Sequence, residues 1–183
     1  MVAESEPDGR KARFEEIYSA MFHRILGYAL RRCDCPEDAA DVVAETFAIA
    51  WRRLDDVPAG EPARLWLYGV ARKVLANHRR GLVRRHDLSL ALAAEVAGHY
   101  EQRPDDGEFG AIGRVLRSLP DDDRELLTLV AWEGLDPGEI AGMLGCSRNA
   151  VRIRLHRARR RLARGLATAG VTLDGLAFIG RAR

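Results

Sequence analysis

Eight arginines and no acid fall between Ser147 and Arg164. Ser147, Arg148, Asn149, Arg152, Arg154, His156, Arg157 and Arg159 all carry donors suited to base edges or phosphate oxygens. A charge run alone more often marks a solvated helix face, so the frame around it decides the reading. Just upstream, Asp136-Pro137-Gly138-Glu139 combines an N-cap oxygen, a proline at the first helical position and a Glu three residues after the cap, which predicts a closed capping box. Ile140, Ala141 and Leu144 follow at helical spacing. Gly145 then stands where a left-handed residue is needed to leave a helix sharply. Ser147 is placed to cap the next helix, whose Val151 and Leu155 dock on the first across the small Ala141. Cap, turn glycine and apolar spacing together predict a helix-turn-helix that presents the arginine-rich helix to a DNA major groove.

The elements that position this motif are helical throughout. Ala, Leu, Arg and Glu are abundant and no alternating Val, Ile and Thr runs argue for strands, so the fold class expected is all-α. Phe14, Ile17, Tyr18, Met21 and Ile25 mark one face of a first helix. Pro36, Glu37 and Asp38 suit the first turn of a second, expected to carry Ala40, Val43, Phe47, Ala50, Trp51 and Leu54 inward. Two prolines and a glycine between Asp55 and Pro62 end it. A third helix from near Ala63 places Leu67, Val70, Ala71, Val74 and Leu75 on one face and Arg72, Lys73, Arg79 and Arg80 largely outside it. After a mixed stretch, Ile112, Val115, Leu116 and Leu119 open a second unit, resumed by Leu126, Leu127 and Val130 beyond Pro120. The organisation expected is two small helical domains at 10–80 and 111–166, a linker at 81–110 and a short tail at 167–183.

The formal net charge of +2 conceals this segregation. Ala71 to His86 holds six Lys or Arg and no acid, whereas acids collect at 37–45, 101–108 and 121–125. The amino-terminal MVAESEPDGRKAR is polar, without the apolar core of a secretory signal, and no stretch approaches a membrane span. A cytoplasmic protein without membrane insertion is expected. Cys33, Cys35 and Cys146 are an odd number, read as free thiols, with Cys146 a small buried hydrophobe. Two thiols as close as Cys33 and Cys35 leave little span for a tetrahedral site, and His23, His78, His86 and His99 have no ligand spacing, so no metal or other cofactor is expected. No nucleophile, phosphate-binding glycine loop or carboxylate constellation points to an enzyme.

Glu37-Asp-Ala-Ala-Asp-Val-Val-Ala-Glu-Thr-Phe-Ala-Ile-Ala-Trp-Arg-Arg-Leu54, followed by Trp66-Leu-Tyr-Gly-Val-Ala-Arg-Lys73, resembles region 2 of the extracytoplasmic function (ECF) sigma factors. Leu119-Pro120, Glu133-Gly-Leu-Asp-Pro-Gly-Glu-Ile-Ala141 and Val151-Arg-Ile-Arg-Leu-His-Arg-Ala158 resemble region 4 of the same family. The resemblance covers about residues 14–80 and 111–166, with no room between for the intermediate domain of larger sigma factors.

It implies a non-enzymatic subunit that binds core RNA polymerase and directs initiation at promoters with particular −35 and −10 elements. The helix from Glu37 to Leu54 would dock on the β′ clamp helices through Asp38, Asp41, Glu45 and Phe47, its acids forming a stripe suited to a basic partner helix. The loop from Asp55 to Arg64 and the next helix would engage the −10 element. There Arg64 belongs to the DNA-binding set, Arg72, Lys73, Arg79 and Arg80 supply a phosphate track, and Trp66 and Tyr68 either line a base pocket or pack internally. Lys73 stands where family members often have Asn, which makes a phosphate contact its expected role. The helix 147–164 would read the −35 element while the helices before it meet the β flap, and an anti-sigma partner is implied. Apart from the resemblance, the charge segregation leads to the expectation that Glu101, Asp105, Asp106 and Glu108 lie over the basic helices in the free protein and weaken DNA binding. Two other readings stay open on the residues: a stand-alone dimeric helix-turn-helix regulator, and a polymerase-binding adaptor without promoter recognition.

Overall fold

Seven α-helices make up most of residues 6–33, 35–90 and 108–171, the part of the chain that the computed structural model describes. They are α1 (Glu6–Leu30), α2 (Pro36–Arg52), α3 (Pro62–Leu90), α4 (Glu108–Ser118), α5 (Asp121–Ala131), α6 (Pro137–Leu144) and α7 (Arg148–Thr168), with a 3-10 turn at Leu54–Asp56. The all-α expectation holds. The helices group into two compact units, α1–α3 and α4–α7.

In the first unit α1 packs on α2 and α3 through Met21, Ile25, Tyr28 and Ala29, all buried. Tyr28 meets Tyr68 of α3 at 5.4 Å between ring centroids. On α2 the buried stripe is Ala39, Val42, Val43, Thr46, Phe47 and Ala50; Val43, Phe47, Ala50 and, past the helix, Leu54 are inward as expected, whereas the stripe shifts away from Ala40 and Trp51, which are exposed. The shift comes from Thr46, a polar residue that the apolar pattern passes over. Its hydroxyl donates to the Val42 carbonyl at 2.6 Å, so it is fully buried without an unsatisfied group. Trp51 lies 41% exposed, its ring edge-on to Phe14 at 5.2 Å and the Arg10 guanidinium 5.4 Å from its centroid.

Two boundaries differ from the expectation. α3 runs on to Leu90, so the stretch 81–90 is helical rather than linker; a lone Gly81 costs a helix only about 1 kcal/mol, and the Leu and Arg residues around it favour the helix. At the other end, α7 closes in a Schellman motif, with Gly170 at φ +71° and the Val171 amide bonded to the Leu166 carbonyl at 3.0 Å. Val171 is thereby turned back into the core, so the first residues of the expected tail belong to the second unit. Residues 91–107 and 172–183, with the shielding acids Glu101, Asp105 and Asp106, lie outside the described residues.

The second unit has its own core of Val115, Leu119, Leu127, Ala158, Leu162, Leu166 and Val171. α4 approaches α7 at Gly165, where an added Cβ would stand 2.5 Å from Val115 Cγ1, so glycine sets how closely the two helices meet. Asp123 of α5, only 10% exposed at its side chain, is hydrogen-bonded to Arg161 of α7.

Candidate nucleic-acid interface

The turn between α6 and α7 is built as the sequence implies. Asp136 accepts from the amides of Gly138 and Glu139, and Glu139 Oε2 accepts from the Asp136 amide at 2.8 Å, closing the capping box with Pro137 in the first turn. The Glu139 and Gly138 amides, with the Arg148 charge adding to them, hold the Asp136 carboxyl below its ordinary pKa. Gly145 takes φ +64°, its amide and that of Cys146 bonding back to Gly142 and Ala141. Cys146 is half-buried rather than buried. Ser147 Oγ then accepts from the Ala150 amide at 3.1 Å and opens α7.

α7 buries Val151, Leu155, Ala158, Leu162 and Leu166 along one stripe. Ser147, Arg148, Asn149, Arg152, Arg154, His156 and Arg157 are exposed, and Arg159 is half-buried. The bundle therefore holds a helix by one face and leaves the other mainly to cationic and polar groups, with no acid among them. Arg152, His156 and Arg159 also edge a groove floored by Val130, Leu135, Pro137 and Leu155, which the sequence pattern did not foretell because it joins three elements.

In the first unit the expected residues separate into distinct places. Trp66, Lys73 and Arg80 recur every seven residues and so line one side of α3, and Arg72 and Arg79 line an adjoining edge. Lys73, Arg79 and Arg80 are exposed. Arg79 donates to the Arg32 carbonyl at 3.1 Å. Trp66 packs against Leu54, Val57 and Ala63, with the Arg53 guanidinium 5.9 Å from its centroid, and Tyr68 is buried, so the packing reading holds for Tyr68. Arg64 lies apart from this track, 18% exposed and 3.6 Å from Glu61, in a groove with Arg13, Ile17, Met21 and Arg24 of α1.

The loop after α2 is clamped from α1, a feature with no sequence signal. Arg10 donates to Asp55 at 2.9 Å and to the Trp51 carbonyl at 2.8 Å, and Arg13 donates to the Val57 carbonyl at 2.5 Å. On α2, Asp41 and Glu45 are exposed and flank a groove lined by Val42 and Ile49 of α2 and Val74, Asn77 and His78 of α3. Asp38 is half-buried, its carboxylate 3.4 Å from His78 Nε2. Phe47 corrects the expectation of a polymerase contact: it is 4% exposed, ringed by Phe14, Tyr18 and Phe22, and serves to seat α2. Cys35, expected only to be a free thiol, caps α2 by accepting from the Asp38 amide at 3.4 Å. That amide favours the thiolate, yet desolvation and the nearby Asp38 and Glu37 acids outweigh it and raise the thiol above its ordinary pKa.

Residues 17–85 match the family described as Sigma-70 region 2, and residues 109–162 match Sigma-70, region 4. The pair in this order defines a sigma-70 type transcription factor. The ECF RNA polymerase sigma factor SigF of Caulobacter vibrioides is 31% identical over 158 residues, spanning 85% of this chain and 87% of its own. The chain belongs to the ECF sigma factors. Among solved structures, CnrH in complex with the cytosolic domain of CnrY matches with a TM-score of 0.61 at 26% identity, over 85% of this chain and 88% of that one. The sigma factor RpoE in complex with the anti-sigma factor NepR from Bartonella quintana shares the fold, with a TM-score of 0.66 at 22% identity, over 84% and 96%. This protein is thus a sigma factor that directs transcription initiation and not an enzyme. The stand-alone regulator and the adaptor are not favoured. No described helix is long and apolar enough to cross a membrane.

Proposed function

We propose that the two units divide promoter recognition and polymerase docking in a residue-specific way. α7 enters the major groove of the −35 element, with Ser147, Arg148 and Asn149 at its amino-terminal end and Arg152, Arg154, His156, Arg157 and Arg159 following the groove and its phosphates. The observation that carries this reading is the exposed, acid-free face of α7, held proud of the fold by a doubly capped turn.

Asp41 and Glu45, with Asp38 behind them, dock on the basic side of the β′ clamp helices, the groove between α2 and α3 supplying apolar contact. Lys73 and Arg80 track the phosphates beside the −10 element, joined by Arg72 and Arg79 on the adjoining edge, while Trp66 stands at the head of the same line. Arg64 serves the loop side of this site. The second unit also meets the β flap. An anti-sigma partner is part of the same reading, supported by the two similar solved structures, which are complexes with NepR and with the cytosolic domain of CnrY.

Run-off transcription on genomic fragments, with core polymerase and with or without the protein, identifies its promoters. Arg152→Ala and Arg157→Ala should each weaken binding there by about 1–3 kcal/mol. Normal use of the same promoter by both variants overturns the assignment of α7.

A further inference from the structure

One apolar side chain stands on the outward face of α7. Ile153 is 45% exposed, the only large hydrophobic so exposed among the described residues of that helix. An α-helix advances about 100° per residue, which sets Ile153 about 180° from the centre of the buried stripe of Val151, Leu155, Ala158, Leu162 and Leu166. It is therefore as far from the core as a position on this helix can be. Asn149 and Arg157 lie one turn to either side, Arg152 and Arg154 flank it, and all four are exposed.

In the free protein this isoleucine gains little from burial, and a β-branched residue is a weaker helix former than its neighbours. A DNA groove supplies what the fold does not. Guanine, adenine and cytosine are distinguished in the major groove by acceptors and donors that Arg, Asn and His match, whereas thymine adds a 5-methyl group that none of them reads. We propose that Ile153 is a specificity-determining residue that reads a thymine of the −35 element through its 5-methyl group. Cytosine at that place would bring an amino donor against an aliphatic surface, leaving it without a partner. The inference rests on the placement of α7 in the major groove and adds to it which chemical feature the centre of the helix selects.

The test uses holoenzyme assembled from core polymerase and the full chain, on a promoter found by run-off transcription. Thymines of both strands of its −35 element are replaced singly by deoxyuridine, which removes the methyl group and nothing else. For the unaltered protein one such replacement should weaken binding about fourfold, the partition of one buried methyl. Ile153→Ala, checked for unchanged helicity by circular dichroism, should lose a similar factor on thymine DNA and nothing further on the deoxyuridine duplex. A flat uracil scan, an element without thymine, or an equal methyl effect in both proteins overturns the proposal. Arg152→Ala and Arg157→Ala in the same assay separate the two levels: if they weaken binding while the scan is flat, only the role of Ile153 fails. If they too are without effect, the placement of α7 fails.

Discussion

Replacing Gly165 with alanine sets two effects against each other at one atom. In an open helix interior Ala is favoured over Gly by about 1 kcal/mol. Here the new Cβ would lie 2.5 Å from Val115 Cγ1, with the Val115 Cβ and Cγ2 at 3.8 and 3.9 Å. Carbon atoms rest about 3.5–4.0 Å apart, so α4 and α7 must separate by roughly 1 Å or Val115 must turn. Turning is opposed because a helical valine has one strongly preferred rotamer and Val115 sits in the core with Leu119, Leu162 and Leu166. Overpacking of this kind costs about 1–3 kcal/mol, so after the helix-propensity gain of about 1 kcal/mol a net destabilisation of up to about 2 kcal/mol is expected. Trp132 is the one tryptophan of the second unit, so urea unfolding followed by its fluorescence, with Trp51 and Trp66 replaced by Phe, isolates the relevant transition. Val115→Ala alone opens a space and should cost about 2 kcal/mol. The double variant puts the new methyl into that space and should fall short of the summed losses by about 1–2 kcal/mol. A Gly165→Ala protein more stable than its parent, or strict additivity with Val115→Ala, would refute the close approach of α4 and α7.

Asp136→Ala removes the carboxylate that accepts from the Gly138 and Glu139 amides and should destabilise the second unit by about 1–2 kcal/mol, with faster hydrogen exchange at those two amides as the local check. Because the Asp136 carboxyl is held below the ordinary aspartate pKa, its stabilising contribution is present above that ordinary value and is lost as pH falls through the lowered one. Asp136→Asn should accordingly flatten the acid limb of the stability profile, and an unchanged limb would count against the cap. Arg161→Ala should cost more than Asp123→Ala, since it strands a carboxylate that is 10% exposed, whereas Arg161 at 46% can turn to water; equal losses in urea unfolding would contradict that order. Thr46→Val keeps shape at a buried site whose hydroxyl serves only the Val42 carbonyl, so stability within about 0.5 kcal/mol of the parent is expected, against a clear loss for Thr46→Ala.

The helix-turn-helix was legible because its determinants are local: Asp136, Pro137, Glu139, Gly145 and Ser147 each act within a few residues of themselves. The stripe of α7 was legible for the same reason, since Val151 and Leu155 keep helical period. What escaped depends on side chains that meet across the fold. Thr46 is buried because one hydrogen bond satisfies it, and that shifted the inward register of α2 away from Ala40 and Trp51. Phe47 has a type suited to a contact, and only packing reveals that α1 covers it. Arg64 shares charge with Arg72 and Lys73, yet its angular position on α3 turns it to another groove. The pairing of Asp38 with His78 and the grip of Arg10 and Arg13 on the loop join residues about 40 apart, where spacing carries no information.

That grip gives the start of the chain an unexpected reach. Arg10 and Arg13 stand in a polar stretch, yet they hold Asp55 and the carbonyls of Trp51 and Val57, in and beside the segment that leads into α3. The two ends of this tether are made at different moments of synthesis, the arginines first and their partners 41–45 residues later. Trimming the chain past Arg13 should therefore loosen the segment from Trp51 to Val57, seen as faster hydrogen exchange at its amides.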